Sequence, residues 1–245
     1  VGSDVNPLHT DNFEEVSFGP ILYGAKKLGM HIHTRYEVSN NAGQDICDIV
    51  NNEGFDFLLV GSGISMSDSP DDIAATRYRT SFYNRYFKRF KAPESWFYPG
   101  ALLKDKTKMF IARSNCDVGV FINRNFVKAT NTLVVISSEE DLFLLDYTRT
   151  LLKATHGSVG IVAKMSTTTP GHDQILKELW DFVSSIPQTQ LLPDKDLTPG
   201  LFNSYNFMLI GYNTWNDVSE HRKEALQKMP STLILNKNKR SSSDN

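Results

Sequence analysis

Residues 131–163, NTLVVISSEEDLFLLDYTRTLLKATHGSVGIVA, decide the fold class. The opening run, 131–136, is almost continuously apolar, the pattern of a strand covered on both faces. Ser137-Ser138-Glu139-Glu140 follows as a capping-box pattern that starts a helix. That helix places Leu144, Leu145, Thr148, Leu151 and Leu152 on one stripe. A second apolar strand, SVGIVA at 158–163, closes the unit. Two such strands joined by a helix call for parallel pairing and a helical crossover.

The pattern continues toward the C-terminus. A helix is predicted at 174–185, with Ile175, Leu176, Leu179, Phe182 and Val183 facing inward. A short strand near 189–192, a Pro/Gly turn from Pro193 to Gly200, a strand at 206–210, a polar helix near 216–228 and a strand at 231–235 complete it. Residues 125–236 therefore read as a five-stranded, doubly wound unit, and 237–245 as a disordered tail without apolar anchors. The first half is sparser. Phe13, Val16, Ile21, Leu22, Ala25 and Leu28 outline a helix closed by Gly29. Residues 30–38 alternate like a strand, 43–53 form a helix stopped by Gly54, 55–60 form a strand, and 117–122 form another.

Composition narrows the function classes. The chain has 245 residues, 40% of them apolar and 22% charged, with a formal charge of −2. That charge excludes a generically basic nucleic-acid binder. Cys47 and Cys116 are the two cysteines, too few for a disulfide framework and suited to a reducing compartment. No apolar run has the roughly 18–20 residues that span a bilayer, and no signal peptide opens the chain.

Two segments resemble a known family. Cys116-Asp117-Val118-Gly119-Val120-Phe121-Ile122-Asn123-Arg124, after the turn Arg113-Ser114-Asn115, is similar to a strand of the plant and fungal CHX-type cation/proton antiporters. Leu133–Leu145 and then Tyr205–Gly211 follow in the family's order. Asn115, Asp117, Asn123 and Ser137-Ser138 depart from the family's usual Pro, Ser, Asp and Gly-Gly. The resemblance is greatest to a fungal potassium/proton antiporter. It implies a cytosolic tail of two universal-stress-protein-like units in tandem, 1–124 and 125–236, the first with a helical insertion at 64–115. In that fold two opening strands lie at the sheet centre. The first unit has no counterpart for them, so an N-terminal portion is expected to be missing from this stretch.

Each candidate site also has a purely structural reading. Universal-stress proteins often hold ATP on a glycine loop whose amides cradle phosphates. Gly61-Ser62-Gly63 offers glycines at the wrong spacing, and Ser137-Ser138 is followed at once by Glu139, Glu140 and Asp141. Carboxylates there satisfy the helix's positive end and repel a triphosphate. The expectation is therefore no cofactor, with nucleotide as the alternative ligand of Gly61, Ser62, Gly63, Ser137 and Ser138. Within the insertion, Tyr78, Phe82, Tyr83, Tyr86, Phe87 and Phe90 share one half of a helix. Arg85, Lys88 and Lys91 lie opposite, and Trp96 follows. Such a helix docks on a partner or on anionic lipid headgroups, or else packs on its own sheet. His31 and His33, two apart on the expected strand, offer pH sensing or a purely structural pair. No catalytic constellation or metal-ligand spacing appears, so the chain reads as a non-enzyme.

The resemblance implies a regulatory tail on a K+(Na+)/H+ antiporter. Its partners would be the membrane transport domain of the same polypeptide and a second copy in a homodimer. It would lie at the cytosolic face of a Golgi or endosomal membrane. The alternatives are a free-standing tandem nucleotide-binding stress protein and a degenerate hydrolase-like enzyme.

Overall fold

Seven strands form one sheet in the order β1-β2-β7-β6-β3-β4-β5. The computed structural model describes residues 10–35, 41–61, 108–165, 169–193, 197–221 and 228–238. The strands are β1 Phe57–Gly61, β2 Asp117–Ile122, β3 Asn131–Ile136, β4 Ser158–Ala163, β5 Thr189–Pro193, β6 Phe207–Gly211 and β7 Ser231–Asn236. The helices are α1 Thr10–Lys27, α2 Ala42–Glu53, α3 Leu144–Thr155, α4 His172–Ser185, α5 Pro199–Phe202 and α6 Tyr212–His221. Two compact units emerge, Val1–Ile49 and Val50–Asn245. Within the first, Gly29 ends α1 in the left-handed region that glycine adopts without strain, and Met30 N–H closes on Ala25 O at 2.9 Å.

Residues 131–163 fold as their pattern dictates. β3 and β4 pair in parallel from Asn131↔Ser158 to Ile136↔Ala163, with α3 as the crossover. Strands β7-β6-β3-β4-β5 are mutually parallel, which gives the five-stranded arrangement expected for the second half. Successive side chains of a strand alternate between the two faces, so one apolar strand feeds two cores. Val134, Ile136, Val159, Ile161 and Leu209 join Leu144, Leu152, Ile175, Leu179 and Phe182 of α3 and α4. Met208 and Ile210 point the other way and are buried on the face where α6 contacts β6 and β7 and buries Trp215 and Val218.

Among the described strands, β2 and β7 form the one antiparallel pair. β2 meets β7 through Val118↔Asn236, Val120↔Ile234 and Ile122↔Thr232. A half-turn about the Val120–Ile234 pair lays β2 on β7, and β1 is parallel to β2 as β6 is to β7. Side chains fasten this join. Tyr147 of α3 donates its hydroxyl to Asp117 at 3.0 Å, and the Asn238 backbone N–H donates to the same carboxylate at 2.7 Å. Burial, then the charge of Asp117 and the hydrogen bond to it, hold the Tyr147 phenol well above its ordinary value. Burial, seconded by Asp117, likewise raises the thiol of Cys116, which packs in the core as expected.

Several expectations need correction. The alternating stretch 30–38 is not a strand over its described part, 30–35, and residues 36–38 lie outside the described residues. A strand is stabilised by a neighbour's N–H and C=O groups, and alternation cannot supply that neighbour. Met30 is accordingly 56% exposed. The helix expected near 216–228 begins at Tyr212, immediately after β6, because Thr214 and Trp215 are buried in its first turns. The Pro193–Gly200 turn ends in α5, whose cap is the Thr198 hydroxyl accepting from Leu201 N–H at 3.2 Å. Of the stretch 237–245 expected to be disordered, Lys237 and Asn238 are placed, and Asn238 also donates to Ser114 O at 3.0 Å, while residues 239–245 lie outside the described residues.

Candidate functional site

The sheet order reverses at β3: the chain steps outward through β4 and β5, then returns to place β6 and β7 on the other side. At such a point the loops leaving adjacent parallel strands diverge, and a crevice opens at their carboxyl ends. Here its walls are the loop after β3, from Ser137 through the 3-10 turn Glu139–Asp141, and the start of α6 after β6.

The crevice is filled by the chain itself. Asp141 is 2% exposed. Its Oδ2 accepts from Ser137 N–H at 2.8 Å, Ser137 Oγ at 3.1 Å, Ser138 N–H at 3.3 Å and Thr214 Oγ1 at 2.7 Å. The Ser137 and Thr214 hydroxyl oxygens also lie against each other across the crevice. Its Oδ1 lies over Gly211, where an added Cβ would stand 1.9 Å away. No side chain larger than glycine's hydrogen fits between that carboxylate and the β6 backbone. Amides and hydroxyls that converge on one point make an anion site. Asp141 supplies the anion.

A cavity of about 290 Å³ adjoins it, lined by Glu139, Glu140, Phe143, Tyr212, Asn213 and Lys237 among others. Glu140 accepts from the Asn213 amide at 2.7 Å, which ties the rim of the β3 loop to α6. The rim thus carries two exposed glutamates against Lys237, a poor setting for a polyanion.

Of the residues singled out in the sequence, Ser137 and Ser138 lie in this crevice and bind Asp141. Gly61 ends β1 with open space around it, and Ser62 and Gly63 lie outside the described residues. His31 and His33 are exposed in a stretch that is neither helix nor strand. The interaction helix, Tyr78 through Trp96, lies outside the described residues. Among the described residues, no group of three or more His, Cys, Asp and Glu could hold a metal ion, and no helix is long and apolar enough to cross a membrane.

Sequence reasoning missed Asp141 as a buried group and Thr214 altogether. Asp141 had a legible signal, because Ser138-x-x-Asp141 fits a capping box. Thr214 has none, since it reaches the crevice by the pairing of β3 with β6.

No protein-family model matches the sequence, and no curated protein matches it. The structure is similar to that of a universal stress protein from Archaeoglobus fulgidus, with a TM-score of 0.53 at 12% identity over 98% of this chain and 82% of that one. The fold is that of the universal stress proteins. A functionally unknown protein from Pseudomonas aeruginosa is also similar, with a TM-score of 0.48 at 11% identity over 92% of this chain and 78% of that one. Within the universal-stress fold, the crevice between β3 and β6 is the switch point of the sheet, and in this chain a carboxylate occupies it.

Proposed function

We propose that this chain is a regulatory domain of universal-stress fold that has no catalytic chemistry and serves a CHX-type K+(Na+)/H+ antiporter. The observation that carries the regulatory reading is the seat of Asp141. Its carboxylate takes the amide and hydroxyl donors that a phosphate would need, so a nucleotide would have to displace a buried, fourfold hydrogen-bonded anion. The antiporter assignment rests on the resemblance at 116–124, 133–145 and 205–211. In such a transporter the ion path lies between membrane helices, and a cytosolic domain acts by contacting one transport conformation better than another. The partners are then the transport domain of the same polypeptide and a second copy, with lipid headgroups within reach of the basic aromatic segment 77–98. The place is the cytosolic face of a Golgi or endosomal membrane.

A nucleotide-binding stress protein is the second reading, and the volume of the cavity beside the crevice, about 290 Å³, favours it while the acidic rim opposes it. Cation-driven proton flux across vesicles carrying the natural polypeptide, with and without residues 1–245, tests the first. Flux that persists on removal but changes several-fold in rate or pH set point supports regulation. Absent flux in both ends the antiporter assignment, and flux unchanged by removal ends the regulatory one.

A further inference from the structure

The half-turn about Val120–Ile234 that lays β2 on β7 also lays Asp117 on Ser231 and Arg124 on Asn238. The hydrogen bonds at the two ends of the join obey it. Arg124 N–H donates to Ser231 Oγ at 2.8 Å, and Asn238 N–H donates to Asp117 Oδ1 at 2.7 Å. Each strand, on leaving the ladder, is thus clasped by the side chain that opens the other.

The two clasps differ in chemistry. Ser231 is 1% exposed, and its hydroxyl is a neutral acceptor. Asp117 is half-buried, and its carboxylate has a second oxygen, which accepts from the Tyr147 hydroxyl at 3.0 Å. A hydrogen bond to an ionised acceptor is worth more than one to a neutral acceptor, and a shared acceptor couples its donors. Tyr147 stands on α3 one turn after Phe143, with the two rings edge-to-face at 6.0 Å. Phe143 lines the cavity beside the crevice, and so do Asn236, Lys237 and Asn238. One carboxylate therefore holds two walls of that cavity, the start of α3 and the stretch leaving β7.

That stretch has the build of a strap. The ladder between β2 and β7 ends at Val118↔Asn236, so Lys237 and Asn238 lie beyond it. Asn238 carries the attachment: besides its N–H, its side-chain amide donates to Ser114 O at 3.0 Å and Cys116 O at 3.5 Å. The receiving loop is pinned from α2, where Asn51 donates to Arg113 O and accepts from Asn115 N–H, each at 2.7 Å. Release therefore moves the strap and leaves the loop in place. We infer that residues 236–238 are a releasable strap walling the cavity, that Asp117 is its latch, and that Tyr147 couples the latch to α3. Seating the strap and closing the cavity are then one equilibrium. Whatever favours the open cavity, or draws on the chain at Asn238, shifts it. This inference is independent of the antiporter assignment.

Trypsin cleavage of the Lys237–Asn238 bond in the folded chain tests it, because that bond must leave its seat to enter the protease. Mass spectrometry reads the rate as a ratio to cleavage after Lys153 on α3, which reports opening of the core. Asp117→Ala should raise that ratio at least about tenfold, the worth of one charge-assisted bond. Asp117→Asn, which keeps an acceptor oxygen for Asn238 N–H, should restore most of the protection. Tyr147→Phe, whose lost hydroxyl binds Asp117 rather than the strap, should raise the ratio about two- to fivefold. Ser231→Ala, at the other clasp, should leave it unchanged. A wild-type bond cut as fast as in an unstructured peptide would overturn the strap. A ratio unmoved by Asp117→Ala would overturn the latch, and equal ratios in wild type and Tyr147→Phe would overturn the coupling.

Discussion

Strands β1 and β6 carry nearly the same residues in the same order, yet among the described residues one ends the sheet and the other lies in its middle. Leu59 and Leu209 are the same amino acid at equivalent positions, one mostly exposed and the other fully buried. Burial is therefore a property of the neighbours a strand finds, and the apolar pattern states only what it would gain from them. What the β6 side gains is counted in contacts to β3, β4 and α3.

The largest expected effect is on that pair. Leu209→Ala should destabilise residues 1–245 by about 2–5 kcal/mol in urea unfolding, through lost transfer energy and a cavity. Leu59→Ala should stay within about 0.5 kcal/mol. Equal costs would break the comparison. The crevice comes next. Asp141→Ala strands the Ser137 and Ser138 amides and the Thr214 hydroxyl without their acceptor, and should cost about 2–3 kcal/mol. Asp141→Asn, which keeps the shape and one acceptor oxygen, should cost less.

A smaller effect tests the β2–β7 join. Tyr147→Phe removes the hydrogen bond to Asp117 and should cost about 1 kcal/mol near neutral pH. Its pH dependence has a definite sign. The folded-state phenol is raised above its ordinary value of 10.0, so its stabilisation is complete below pH 10 and is lost as the pH rises beyond it. The wild-type chain should lose stability above pH 10 more steeply than Tyr147→Phe. Identical slopes would remove Tyr147 from the join. Smallest is the pair at the strand entries. Asn206→Ala should cost about 0.5–1 kcal/mol for its bonds to Thr130 and Asn131, and Asp56→Ala in residues 1–245 close to nothing.

Most of the fold was legible because it is local. β3, α3 and β4 follow one another in sequence, and their apolar periods state both type and partner. Residues 30–35 mislead for the opposite reason, since an alternating pattern has no ladder without a second strand. The candidate site was half legible. Ser137, Ser138 and the acidic turn were visible as a loop hostile to phosphate, but not the inward seat of Asp141. That seat depends on Gly211 and Thr214, about 70 residues away in sequence and brought there by the β3–β6 pairing. Asn238 escaped notice for the same reason, its anchor being Asp117 on β2.

Titration calorimetry of residues 1–245 with Mg-ATP tests the self-filled crevice most directly. The wild-type chain should give no saturable heat at concentrations up to about 1 mM, the range in which a weak site would report. Saturable, one-to-one binding in the micromolar range would contradict it, because the Asp141 carboxylate would then have yielded its donors to a phosphate.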